Sequence, residues 1–166
     1  TELKEAFKTT IGSISGQLPT YDKDSIFIGI ADFGNSNIGS FEDEHPKFGS
    51  YLANALGAIA VDAHAEPSDE EINSIVNRAR NCKNIYFGSY NSHRFPKQRK
   101  LIEKLLALKK NFVIVALCNP YDLDKEIRAK SCCSIVAWDY SLLVLDYLAK
   151  AIKEGYIKKI DFELGI

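Results

Sequence analysis

An open, doubly wound α/β fold is the class this sequence predicts, and three observations predict it. Short apolar runs recur at 25–31, 58–63, 84–89 and 112–118, each too short for a buried helix and apolar on both alternating faces, as strands covered on both sides are. Between them lie stretches with apolar residues at helical spacing, so strand and helix alternate at intervals of ~25 residues, the signature of parallel strands joined by crossovers. The third is chain length: 166 residues suit one domain with one core. The expected architecture is a mostly parallel sheet of about 5–6 strands with helices on both faces and an antiparallel edge, all of 1–166 forming one α/β domain.

Leu3, Ala6 and Phe7 share one face and read as the end of a helix, and 9–15 alternates weakly through Ile11 and Ile14, as an edge strand does. Gly16, Pro19 and Asp22 mark a turn over 16–23. The strand at 25–31 ends in Asp32 and runs into a polar, acidic loop over 34–45. Pro46 suits a first helical position, with Phe48, Tyr51, Leu52, Ala55 and Leu56 as the inward stripe and Gly57 as the stop. After the strand at 58–63 come His64 and a capping box, Ser68 with Glu71, whose helix carries Ile72, Ile75, Val76 and Ala79 inward. The strand at 84–89 runs into Asn91 and His93. Pro96 then opens a helix with Leu101, Ile102, Leu105 and Leu106 on its inner face.

The most apolar strand, 112–118, stops at Asn119-Pro120, because proline has no N–H for a ladder and drives its predecessor out of helical geometry. A polar helix or turn follows Asp122. Next come a strand at 134–138 and a last helix over 141–154, with Leu145, Leu148, Ala149 and Ile152 inward and Gly155 as its stop. The segment 157–162 reads as a closing edge strand.

Bulk properties exclude several classes. A net charge of -1, with acids and bases mixed along the chain, gives no footprint for nucleic acid. No apolar run approaches the ~20 residues that span a bilayer, so no membrane partner is expected. Cys82, Cys118, Cys132 and Cys133 form no Cys-x-x-Cys pair and read as free thiols, so no metal is expected and the usage leans toward a cytoplasmic, reducing compartment. A secreted or lipid-anchored parent stays open. The chain begins at Thr1 and has no methionine, which is expected of a fragment of a longer protein.

Ligands in open α/β sheets bind beyond the carboxyl ends of the strands. There the sequence places Asp32 with Asn35, His64, Asn91 with His93, Asn119 with Asp122, and Asp139. Such side chains also cap helices and satisfy loop backbone. The candidate ligand-binding set is Asn91, His93, Asn119, Asp122 and Trp138, the last being the single tryptophan. No glycine-rich dinucleotide or phosphate loop occurs, so no cofactor is expected. Residues 12–16 spell a hydrolase serine elbow with Ile14 in the serine's place. Histidine side chains such as His64 and His93 can serve as acid or base near neutral pH, but the sequence sets no nucleophile or carboxylate beside either. No catalytic residue is assigned.

The string Ile85-Tyr86-Phe87-Gly88-Ser89-Tyr90-Asn91, then Gln98, then the helix over 101–108, then the strand ending Cys118-Asn119-Pro120-Tyr121-Asp122-Leu123 resembles the C-terminal α/β domain of glycoside hydrolase family 3. It is most similar to the bacterial β-N-acetylhexosaminidases. There a strand ending Thr-x-Asn precedes a helix carrying Gln, and the next strand ends Arg-Asn-Pro-Tyr-Asp-Leu; Cys118 stands in the Arg place. Ala137 to Ser141 sit where the family has a Tyr-Glu turn, and Lys158-Lys159-Ile160-Asp161 replaces the family's Gly-Lys-Leu-Pro tail. The resemblance implies that nucleophile and acid/base lie on a preceding (β/α)8 barrel of ~250 residues. This chain would then be an accessory domain, inactive alone, whose partners are that barrel and a carbohydrate. Two rivals are a carbohydrate-binding module using the strand-end rim and a flavodoxin-like small-ligand domain.

Overall fold

The computed structural model of the chain describes residues 11–32, 46–139 and 141–161. Strands β1 (Gly12–Gly16), β2 (Ser25–Asp32), β3 (Ile59–His64), β4 (Asn84–Ser89), β5 (Asn111–Ala116) and β6 (Cys133–Val136) form one sheet of order β1-β6-β5-β4-β2-β3. All pairs are parallel except β1 with β6, so the antiparallel edge is present. Chain order reverses between β2 and β4, the switch point of a doubly wound sheet.

Alternation along the strands sorts the core into two layers. Ile26, Ile28, Ile85, Phe87, Phe112 and Ile114 face one side. They meet α2 (Asp69–Ala79), α3 (Pro96–Leu106) and α4 (Lys125–Lys130) through Ile72, Ile75, Leu101, Leu105 and Ile127. Phe27, Tyr86, Val113, Val115 and Ile135 face the other. They meet α1 (Phe48–Leu56) and α5 (Leu142–Glu154) through Phe48, Leu52, Leu145 and Leu148. Phe27 stacks on Tyr86 with ring centroids 4.6 Å apart.

Several boundaries differ from the sequence reading. Helix α1 begins at Phe48 rather than Pro46, with Lys47 as its N-cap residue. Its buried stripe is Phe48, Gly49, Leu52, Ala53 and Leu56, while Ala55 is exposed and Tyr51 only half-buried. The small residues face inward because α1 lies unusually close to the sheet: a Cβ on Gly49 would meet the Val61 carbonyl oxygen at 2.6 Å. Strand β5 ends at Ala116, two residues before the apolar run does. In α5 it is Val144 and Ala151 that join Leu145, Leu148 and Ile152 in the core, with Ala149 half-buried. Among the described residues, the expected strand at 157–162 is a single bridge from Lys159 to Ser13, where Ser13 exchanges hydrogen bonds with Lys158 and Ile160. The helix expected near residues 3–8, Asn35 and the whole 34–45 loop lie outside the described residues.

Candidate functional site at the strand-end rim

Strands β4 and β5 lie side by side and in register, with Ser89 opposite Ala116, so the segments that follow them emerge together. Beyond β5, the Asn119 side chain accepts the Tyr121 N–H at 2.9 Å and starts a short 3-10 turn, Pro120–Asp122. Pro120 is tolerated there because a helical N-terminus needs no N–H from it. The turn swings Asp122 back under the rim, where it is 1% exposed.

A buried carboxylate must be paired, and Asp122 is. Ser89 Oγ donates to Oδ2 at 2.9 Å, the His93 backbone N–H donates to Oδ1 at 3.2 Å, and His93 Nδ1 lies 2.7 Å from the same oxygen. A carboxylate only accepts, so Nδ1 carries the hydrogen of this contact. The imidazole is 28% exposed and meets the Tyr121 ring edge-on, centroids 6.4 Å apart. This corrects the expectation that neither histidine has a carboxylate beside it. His64 has one too: Glu71 accepts both the His64 backbone N–H at 2.9 Å and a ring contact at 2.8 Å. The capping box is therefore half formed, with Ser68 Oγ accepting the Glu71 N–H while the Glu71 side chain is spent on His64.

The loop after β4 is held by Gln98. Its Oε1 accepts the Tyr90 N–H, and its Nε2 donates to the carbonyls of Tyr90 and Ala65 at 2.9 and 3.1 Å. Gln98 is fully buried, so one side chain ties the exits of β3 and β4 to the first turn of α3. Asn91 takes a left-handed conformation, φ 52°, and stands near the Cys118 thiol. Desolvation raises the pKa of that thiol and the Asp122 carboxylate adds to the rise, while Asn91 and Arg94 oppose it. Trp138 leaves the sheet one strand over, just beyond β6, where the Ala137 N–H bonds the Ala116 carbonyl. It has φ 65° and is 42% exposed. Ser141, rather than Asp139, caps α5.

Of the candidate set, then, Asn91, His93, Asn119 and Asp122 gather around the ends of β4 and β5, and Trp138 stands at the neighbouring exit. Sequence reasoning missed Ser89 and Tyr121 as members. Gln98 carried a readable signal: it occupies the inward stripe of α3 with Leu101, Ile102 and Leu105, and a polar residue there needs buried partners. Among the described residues no group of three His, Cys, Asp or Glu side chains is placed to hold a metal ion, and no helix is long and apolar enough to cross a membrane.

No protein-family profile and no curated protein matches this sequence. Solved structures do share its fold. A glycoside hydrolase family 3 β-N-acetylglucosaminidase from Paenibacillus superposes with TM-score 0.73 at 20% identity, over 93% of this chain and 30% of that one. A fungal multi-domain GH3 β-N-acetylglucosaminidase gives 0.66 at 14%, over 96% and 19%. A β-glucosidase from Listeria innocua gives 0.70 at 13%, over 92% and 24%. The chain spans less than a third of each of these, and its six-stranded, mostly parallel α/β sheet is the fold found in that part of them.

Proposed function

We propose that this chain is the accessory C-terminal domain of a family 3 glycoside hydrolase, that its parent is a β-N-acetylhexosaminidase, and that it is not catalytic by itself. The observation that carries the reading is the asymmetry of the structural match. Nearly all of this chain is covered, against 30% of the Paenibacillus β-N-acetylglucosaminidase, which leaves room there for a catalytic body this chain does not contain. The Asn119-Pro120-Tyr121-Asp122-Leu123 string supports the hexosaminidase branch. The geometry agrees with an accessory role. Hydrolysis with retention needs two carboxyl-type groups ~5 Å apart across the scissile bond, whereas Asp122 is buried and committed to Ser89 and His93.

In this reading the partner is the parent's (β/α)8 barrel, and the parent's substrate is a glycan with a terminal N-acetylglucosamine. The test is hydrolysis of a nitrophenyl N-acetyl-β-glucosaminide by the chain alone and by the chain in its full reading frame. No turnover by the chain alone is expected, with activity appearing once a barrel-sized segment precedes Thr1. Ordinary enzymatic turnover by the isolated chain, or a reading frame without such a segment, overturns the proposal.

A further inference from the structure

We propose that the interior of the sheet holds one structural water molecule near the amino end of β4, on the face covered by α1 and α5, where its oxygen accepts hydrogen bonds from the Asn84 side-chain amide and the Tyr86 hydroxyl. The inference concerns the core of this chain and does not depend on the reading of its parent.

The first support is a pair of buried donors left over by the fold. Asn84 and Tyr86 are both 0% exposed. They stand two residues apart on β4, so their side chains leave the same face of the sheet. Tyr86 packs there with Phe27 and Val113 in the layer under α1 and α5. Its ring lies flat on that of Phe27, and its hydroxyl comes near the Asn84 amide. Yet neither Asn84 Nδ2 nor Tyr86 Oη has a hydrogen-bond partner among the described residues. Buried polar groups in folded proteins are nearly all paired. Keeping two of them dry costs more than immobilising one water between them.

The second support is the way the Asn84 amide is already used. Asn111 lies opposite Asn84 on β5, and its Nδ2 donates to Asn84 Oδ1 at 2.9 Å. That bond occupies the accepting end of the amide and leaves the Nδ2 end, which can only donate, for the interior. Turning the amide over exchanges its two atoms but makes no bond to Tyr86, because the positions stay the same. The site therefore needs an acceptor for an amide N–H and for a phenolic O–H, and one water oxygen has a lone pair for each.

The third is what surrounds the pair. Tyr21 and Cys132 are close enough to act electrostatically on the Tyr86 hydroxyl. Tyr21 already donates its own hydrogen to the Leu56 carbonyl at 2.6 Å, so its oxygen is left as an acceptor for a hydrogen of the water. Asn84 and Asn111 open β4 and β5, and Asn111 is exposed, which sets the site one residue in from the solvent edge. Internal waters typically make about three hydrogen bonds to groups the chain leaves unpaired, about one water per 27 residues. A polar site of this make-up is where such a water belongs.

The test is a crystal structure of the intact chain at a resolution that shows ordered water. An oxygen about 2.7–3.2 Å from both Asn84 Nδ2 and Tyr86 Oη is expected. Asn84→Leu, which replaces the amide by carbon of similar size, is expected to lose that water while the Tyr86 ring stays on Phe27. In solution, the nitrogen-15-labelled chain is expected to show a nuclear Overhauser cross peak between water and the Asn84 side-chain amide, with the sign of a long-held water. Should Asn84→Leu fail to fold, the wild-type crystal and this cross peak decide. The proposal is overturned by a dry site in the wild-type crystal, by a direct Asn84–Tyr86 hydrogen bond, by a water that stays in folded Asn84→Leu, or by absence of the cross peak.

Discussion

Single side chains here act mostly as ties between segments far apart in sequence, and their electrostatics are open to measurement. Asp69 accepts from Lys97 at 2.6 Å and Lys100 at 3.0 Å, joining the first turns of α2 and α3. Hydrogen bonds to the two ammonium groups lower its pKa to about 2. Its folded value lies below the unfolded one of 3.8, so the tie is intact above the unfolded value and is lost as pH falls toward 2. A carboxyl carbon titration should give an Asp69 midpoint near 2, returning to the ordinary range in the Lys97→Met, Lys100→Met double variant. The tie lies at the surface and adds little to stability. At the core, burial pushes the Cys133 thiol up to about 12 and the Cys132 thiol to about 11, so both stay protonated, inert packing groups at neutral pH.

Elements were legible in proportion to how two-sided their burial is. Strands β4 and β5 are buried along nearly their whole length and stand out as apolar runs. At the edges the signal fades: Ile11 stands outside β1, which begins at Gly12, and among the described residues the tail yields a bridge in place of a strand. Helix α1 shows a different limit. Its stripe depends on how closely it approaches the sheet, which Gly29 and Gly49 set by leaving room for one backbone against another; a hydrophobicity pattern cannot record that. Replacing Gly49 by Ala would gain about 1 kcal/mol of helix propensity. The new methyl would press on the Val61 carbonyl and the Asp62 carboxylate at 2.6 and 2.8 Å, and a clash against sheet backbone costs typically 1–3 kcal/mol. A net loss of up to about 2 kcal/mol in urea unfolding is therefore expected for Gly49→Ala. The site obeyed the same logic. Strand ends flagged the right segments, but His93 and Asp122 are 29 residues apart, and only the register of β4 on β5 reveals that they touch.

The whole molecule is a sheet with a firm middle and softer margins. Strands β4 and β5 are paired on both sides and covered on both faces. Among the described residues, strand β3 has one neighbour and a largely half-exposed surface, and β1 rests on β6 and a single bridge. Hydrogen exchange should rank them accordingly: the amides of Tyr86, Phe87, Val113 and Ile114 open only with the whole fold, while those of Ser13 and Ile160 exchange by local fraying, faster by roughly 100-fold or more. Equal protection across the sheet would contradict this layout.

The Ser13–Lys159 bridge is parallel, so the tail runs alongside β1 in the same direction and ties the last described segment to the first. Loosening either one takes the Ser13 hydrogen bonds from the other, so these two margins should come apart together as one unit.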